Sequence, residues 1–288
     1  MTGAPDRDSQ DAAIFSYGET GAHHVEYLAH PIFGPYKSVA LRLLQPQPGE
    51  TILDAGCGAG LDVFNLAQLV GREGHVVGVD RDPTMLQAAR TTHLERGSPA
   101  NVEFQVGDLL HLSGLKSDTF DRTHIDRTLQ HAGATGYDDE APARVLAELR
   151  RVTKPSGLIQ ACEPDSSSIV INTDPRFATT THRVLKSFIQ ARVMRHPMVG
   201  LDLRRLFKEA GIDVRNEVQV PLIVQSYEDG LAILRLRELA QHAISSEARD
   251  PLSIDEAEAW LQHLEDMDRR GLFVAVIPMH IVTGRVVK

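Results

Sequence analysis

At 288 residues, 42 % of them hydrophobic and 24 % charged, the chain has the composition of an ordinary globular protein, long enough for one large domain with elaborations. Its formal net charge of −9 argues against a general nucleic-acid binder, whose affinity rests on a basic surface that contacts phosphates. Two isolated cysteines, Cys57 and Cys162, are too few for a disulfide scaffold or a zinc cluster and fit a reducing, cytoplasmic setting.

The first ten residues are polar and lack the apolar core of a signal peptide. Residues 1–36 precede the first strand pattern and are expected to form an N-terminal helical cap segment, whose stretch 17–36 wraps over the pocket as a wall with Tyr17, His23 and His24. The segment Ile52-Leu53-Asp54-Ala55-Gly56-Cys57-Gly58-Ala59-Gly60 then joins an apolar strand to a helix through three alternate glycines. Glycine lets the chain turn sharply and lets a bound nucleotide touch the backbone, while the following helix points its first N–H groups at it. A dinucleotide fingerprint needs a small third residue where this chain has Leu61, because the last glycine comes one position early at Gly60.

A helix follows with Val63, Leu66, Ala67 and Val70 on its sheet-facing stripe. Strand 75–80 ends in Asp80, about twenty residues past the loop, where an acid would hold a ribose diol. Asp82 and Pro83 mark the start of the next helix, whose inner face is Met85, Leu86 and Ala89. Strand 102–106 runs into Gly107-Asp108-Leu109, so three strands end in polar residues along one rim. Strand 120–125, a helix at 144–152 and strand 158–163 complete an alternation that implies right-handed crossovers and a parallel sheet covered on both faces.

Two segments exceed what that sheet needs. Residues 164–200 contain Phe177, Thr181, Val184, Leu185, Phe188 and Arg192 on one helical face. After a helix at 202–210 that ends at Gly211 and a strand at 218–225, residues 227–271 contain a capping box, Ser253-x-x-Glu256. It opens a helix with Ala257, Trp260, Leu261, Leu264 and Met267 inside. Such insertions either cover the pocket mouth or make a homodimer surface. A final strand is expected at 273–287. The longest apolar run, 272–279, falls far short of the ~20 residues that span a bilayer, so no membrane partner is expected.

Asp54, the Gly56-x-Gly58-x-Gly60 loop, Asp80 and the Gly107-Asp108 pair agree in order and spacing with class I S-adenosylmethionine-dependent methyltransferases, which the chain resembles over about 36–225 and 272–287. The turn Lys154-Pro155-Ser156-Gly157 resembles the family's Leu-Lys-Pro-Gly-Gly turn, with Ser156 where glycine is usual. The likeness is closest to the small-molecule subgroup that includes quinone-biosynthesis enzymes. It implies a Rossmann-like, doubly wound α/β fold with seven strands, mostly parallel, an antiparallel last strand, and helical insertions forming a lid on a domain of residues 37–288.

The same resemblance implies S-adenosyl-L-methionine as cofactor and S-adenosyl-L-homocysteine as product. Gly56, Gly58 and Gly60, with Cys57 between them, would pack under the methionine part, and Asp54 would order the loop and the nearby amino group. Asp80, flanked by Arg81, would take the ribose hydroxyls. Gly107, Asp108 and Leu109 would face the adenine, and the backbone from Asp126 and Arg127 to Thr128 would approach the methionine end. His131 follows strand four where the subgroup commonly carries a histidine, serving either as a pocket base or as a loop-ordering donor.

For catalysis the further candidates are Glu163 and His24. For acceptor contact they are Asp165, at the carboxyl end of strand five where parallel sheets place ligands, together with Tyr17, His24, Arg192 and His196. Arg183, Lys186, Arg192 and Arg195 form a positive cluster that would suit an acidic acceptor or simply a solvated helix face. No set of ligand-type residues shows metal spacing. Methyl transfer from a sulfonium is an in-line displacement with an excellent leaving group, so alignment and dryness matter more than a general base. Three functions stay open: a small-molecule methyltransferase acting on O, N or C, a protein of the same fold that binds the cofactor without transferring methyl, and an NAD-dependent oxidoreductase. Ile125-Asp126-Arg127-Thr128 lacks the Asn/Asp-Pro-Pro-Tyr/Phe turn of amino-directed DNA methyltransferases.

Overall fold

The computed structural model describes residue 27 and residues 29–96, 101–133, 138–191, 194–245 and 248–287. Tyr17, His23, His24 and Arg192 lie outside the described residues.

Strand β1 (Thr51–Ala55) is buried on both faces and pairs in parallel with β2 (His75–Asp80) and β4 (Phe120–Asp126). Strand β3 (Val102–Val106) extends this set beyond β2, and β5 (Thr153–Pro164) extends it beyond β4, again in parallel. Strand β8 (Ala275–Val286) runs antiparallel between β5 and β7 (Ile212–Val224). Among the described residues the sheet has eight strands. The one beyond the expected set is the two-residue β6 (Val170–Ile171) in the first insertion. It pairs with Val276 and Ala275 of β8, just past the stretch taken by β5. Too short for any period to register, β6 left no trace in the hydrophobic pattern.

Successive strand residues point to opposite faces, and the two faces find different helices. Ile52 and Val76 pack with Leu44, the end of α1 (Gly34–Leu44), and with α2 (Leu61–Val70) through Val63, Leu66, Ala67 and Val70. Leu86 of α3 (Pro83–Glu95) joins them. Leu53, Val77, Ile125 and Ile159 pack instead on α4 (Ala141–Val152), through Val145, Leu146, Leu149 and Val152, and on Leu203, Leu206 and Phe207 of α6 (Val199–Glu209). The helix starts follow local chemistry: the Asp82 side chain accepts from Thr84 N at 2.8 Å, with Pro83 opening the helix.

The expected boundary at 36/37 falls inside α1, so residues on both sides of it share one continuous helix. Helix α6 begins three residues before the expected 202, and β7 begins directly after Gly211. After Ile212 its first half is mostly exposed and polar, with Asp213, Arg215, Asn216 and Glu217 around a half-buried Val214 opposite β8, a pattern that apolar counting misses. The Lys154-Pro155-Ser156-Gly157 turn is absorbed into β5, and Ser156 holds a left-handed φ of 65°. A residue with a Cβ adopts that conformation at a cost, which explains glycine as the usual occupant.

The two insertions share one core. Helix α5 (Ala178–Ala191) packs beside α7 (Leu236–Ile244) and α8 (Ile254–Arg269). Trp260 is fully buried and donates from Nε1 to Thr181 Oγ1 at 2.9 Å, joining the stripes of α5 and α8. The capping box Ser253/Glu256 is formed. Ring stacking of Phe177 on His263, with centroids 4.2 Å apart, adds a second tie. This layer continues into Phe33, Tyr36 and Ala40 near the start of α1 and into the rim end of β7 and β8 through Leu222, Val224, Ala275 and Ile277. It thus covers the edge of the sheet where β5 and β7 finish. No helix among the described residues is long and apolar enough to cross a membrane.

Candidate functional site

The carboxyl ends of β1, β2, β3 and β4 form one rim, and the glycine loop lies on it. Gly56, Gly58 and Gly60 have φ of 76°, 50° and 75°. Gly56 N and Cys57 N both donate to Val79 O, at 2.7 and 3.0 Å, so the loop is folded back over β2. A Cβ on Gly56 would stand 2.4 Å from the Thr128 side chain, which leaves glycine as the residue that fits. Gly60 opens α2 without any side-chain cap, so the first amides of that helix remain available to a ligand on the rim. Cys57 is buried against Gly78, and burial pushes its thiol up, which makes it a packing group and not a nucleophile.

Asp80 ends β2 with one carboxylate oxygen accepting from Gly58 N at 2.8 Å and the other from Asp82 N at 2.9 Å. It therefore fixes the loop and faces the rim at once, and burial raises its pKa. Arg81 beside it is exposed. On the next strand end, Gly107 N donates to Asp80 O at 3.0 Å. Asp108 is exposed and accepts from Leu110 N, while Leu109 packs on the core. The backbone cradle, the acid ending β2 and the loop after β3 are thus adjacent, and the donor set fits an adenosyl group.

Beneath the loop is a charged cluster that sequence reading found only in part. Asp54 is buried, and burial pushes it up to about 7, against the pull of His124. Asp62 is held well below the usual carboxylate range, because Lys37 and His124 outweigh its burial. Lys37 Nζ donates to Asp126 Oδ2 at 2.6 Å and to Asp62 Oδ2. Tyr36 Oη donates to Asp126 at 2.8 Å, and His124 Nε2 lies 3.9 Å from Asp62. Asp62, His124 and Asp126 each bring a ligand-type atom within 4.8 Å of the others, but the Lys37 ammonium sits against both carboxylates and supplies the positive charge there. Lys37, Asp62 and His124 carry no motif. The one available signal was a lysine and an aspartate on helices that flank the same strand end.

Arg127 follows Asp126 in a left-handed conformation, φ 51°, with its amide donating to Cys162 O at 2.8 Å. Its guanidinium lies 4.1 Å from the Phe33 ring centroid and 5.7 Å from that of Tyr27.

Several expected contact residues turn out to hold backbone. Glu163 is fully buried, and its carboxylate accepts from Thr128 N at 2.8 Å, Leu129 N at 2.5 Å and Gln130 N at 3.4 Å. Burial pushes it up to about 8 against those three amides. The expectation of a catalytic Glu163 is corrected on this ground: the carboxylate caps the turn after β4 and positions Thr128 against Gly56. Asp165 is also corrected from an open acceptor contact to a buried group, with Oδ1 accepting from Ser167 N and Oγ. The half-buried His196 places Nε2 3.0 Å from Ala132 O, and its amide donates to Gln130 O, tying the first insertion to the loop after β4. His131 ends the short turn Leu129–His131 and is half-buried.

Among its described residues the basic cluster does not converge. Arg183 binds Asp250, Glu256 and the Pro251 carbonyl, Arg195 binds the Gly133 carbonyl, and Lys186 is exposed.

A family model described as a methyltransferase domain matches residues 46–211. An uncharacterised 37.1 kDa protein carried on a transposon of Streptomyces fradiae is 31 % identical over 250 residues, 87 % of this chain and 66 % of that protein. The 2-phytyl-1,4-naphtoquinone methyltransferase of Synechococcus elongatus is 33 % identical over 120 residues, 42 % of this chain and 48 % of that enzyme. The match thus spans less than two thirds of either relative. A crystal structure of a SAM dependent methyltransferase from Aquifex aeolicus superposes with a TM-score of 0.50 at 17 % identity, covering 87 % of this chain and 89 % of that one, a likeness of fold.

Proposed function

The chain belongs to the methyltransferase-domain family, whose class I members use S-adenosyl-L-methionine, and from that premise we propose that it transfers a methyl group to an O, N or C centre of a small, quinone-like or natural-product acceptor. The observation that carries this reading is the glycine loop pinned by Val79 and Asp80 beside the uncapped start of α2. Bound there, the cofactor supplies an electrophilic methyl on a positively charged sulfur.

The chain's own residues supply the rest. Asp80 takes the ribose hydroxyls with the lone pairs left over from Gly58 and Asp82. Asp108 and Leu109 border the adenine, and Gly56 and Gly58 give close backbone approach below the methionine part. Beneath the loop, Asp62 and Asp126 share the Lys37 ammonium, which fixes the end of β4 against the starts of α1 and α2. Glu163 holds the turn Leu129–His131 in place, so His131 is presented where a pocket base or an ordering donor is needed. The α5, α7 and α8 layer closes the β5 and β7 side, with His196 tying it to the loop after β4. Tyr17 and His24 would complete it from the N-terminal side. A cytoplasmic enzyme acting on a small molecule, alone or as a homodimer, fits these features better than one acting on nucleic acid, given the net charge of −9.

The test is to incubate the protein with S-adenosyl-L-methionine and a panel of phenols, catechols and reduced quinones and measure S-adenosyl-L-homocysteine released. Acceptor-dependent release is the expected result. Cofactor binding with no release from any acceptor class would favour a non-methylating role, and binding of NAD instead would point to redox chemistry.

A further inference from the structure

Among the described rim residues, Arg127 carries a charge whose chemistry the proposed reading leaves unused. Its side chain is 10 % exposed, and neither Nε nor Nη1 has a hydrogen-bond partner. A buried guanidinium is ordinarily matched by a carboxylate in hydrogen-bond contact, because unpaired buried donors and charges are costly. The nearest acid, Asp126, has an oxygen 3.7 Å from Nε, and its carboxylate is already engaged by Tyr36 and Lys37. Phe33 and Tyr27 present ring faces to the guanidinium, which steady its charge but leave Nε and Nη1 without acceptors.

The backbone argues in the same direction. Arginine in the left-handed region at the end of β4 is a strained choice, and such strain persists where the surroundings hold a side chain in one required place. What holds it is specific: the amide bond to Cys162 O on β5, and Gln130 Nε2 donating to Arg127 O at 3.2 Å. Next in the chain, Thr128 packs on Gly56, so the guanidinium belongs to the same rim as the glycine loop.

From this geometry we infer that the Arg127 guanidinium is an oxyanion-binding group of the transfer chamber, taking a ligand carboxylate or an ionised enol or phenol oxygen on its open N–H groups. The inference rests on the methyltransferase reading for the name of the chamber, not for the chemistry of the site. Two ligands could bring that oxygen: the methionine carboxylate of the cofactor, or the methyl acceptor itself. An acceptor held this way would be anionic at or beside the atom methylated. In that case the site also sets specificity, since the positive charge of Arg127 would favour the ionised nucleophile over its neutral form.

The experiment uses Arg127→Met and Arg127→Lys, with thermal unfolding of each as the check on folding. Lysine keeps a cation near Phe33 and so guards against simple collapse. Three probes are titrated calorimetrically into each protein: S-adenosylhomocysteine, 5′-methylthioadenosine, which lacks the amino-acid part, and benzoate with and without S-adenosylhomocysteine. If the cofactor carboxylate is the partner, Arg127→Met loses roughly tenfold or more in S-adenosylhomocysteine affinity while methylthioadenosine binding stays within about twofold. If the acceptor is the partner, both adenosyl ligands bind normally and benzoate binding, present in the native protein, is lost in Arg127→Met and weakened in Arg127→Lys. The inference is overturned if folded variants bind all three probes as the native protein does, or if the native protein binds no benzoate and the variants keep full S-adenosylhomocysteine affinity. Failure of the native protein to bind S-adenosylhomocysteine would instead strike the methyltransferase reading, while benzoate still judges Arg127.

Discussion

The glycine-loop rim and the helical insertion layer are built on opposite principles. The rim is held by backbone: Gly56, Cys57 and Gly58 bond to Val79 and Asp80, and Glu163 alone orders three consecutive amides after β4. The layer is held by apolar side chains around Trp260, Leu239 and Leu264, with a few polar ties such as Trp260 to Thr181. The first type of construction fixes atoms to within tenths of an ångström for a defined ligand. The second fixes a wall whose lining residues are free to vary, which is where acceptor choice belongs.

The comparison is broken most forcefully at its two centres. Trp260→Ala empties a fully buried indole site and should cost about 3–5 kcal/mol of stability. Below the lowered melting temperature, S-adenosylhomocysteine affinity should change far less than acceptor turnover. Equal loss of both would mean that the layer and the rim are one structural unit. Gly56→Ala should do the reverse. Strain at φ 76° and the collision with Thr128 should cost roughly 1–3 kcal/mol while abolishing measurable cofactor binding, read by calorimetry beside a melting curve.

A finer probe is pH. Asp54 rises from 3.8 to about 7 on folding, Glu163 from 4.5 to about 8, and His124 also rises. In all three the folded chain holds protons that the unfolded chain has released, so unfolding free energy should decline as pH climbs from roughly 4.5 to 8. Asp54→Asn should flatten the first part of that decline in chemical denaturation, and an unchanged slope would remove Asp54 as a contributor. The smallest effect is expected far from the site: Ser156→Gly should raise stability by about 0.5–1 kcal/mol by relieving a left-handed serine, seen as a higher melting temperature.

Much of the rim was legible because its signals are local. Three alternate glycines, an acid ending β2 and an Asp-Pro helix start lie within a few residues of the atoms they organise. The fold followed from the alternation of strand and helix, and the stripes of α5 and α8 were readable as amphipathic helices. Their mutual contact was not, since a stripe states that a face is buried and not against what. The Lys37, Asp62 and Asp126 cluster was missed for a related reason: Lys37 meets partners 25 and 89 residues away, and each residue alone looks like an ordinary surface charge. Glu163 and Asp165 were misread because a carboxylate at a strand's carboxyl end can face a ligand or cap a turn, and only the path of the following chain decides between them.

The central claim is that the loop at Gly56–Gly60 with Asp80 holds an adenosyl group. Calorimetric titration of S-adenosylhomocysteine into the native protein and into Asp80→Ala tests it most directly. The account predicts binding by the native protein and an affinity lower by roughly tenfold or more, about 1.4 kcal/mol, in the variant, with NAD silent in both. Equal affinity in the two proteins, or NAD binding in place of S-adenosylhomocysteine, would contradict it.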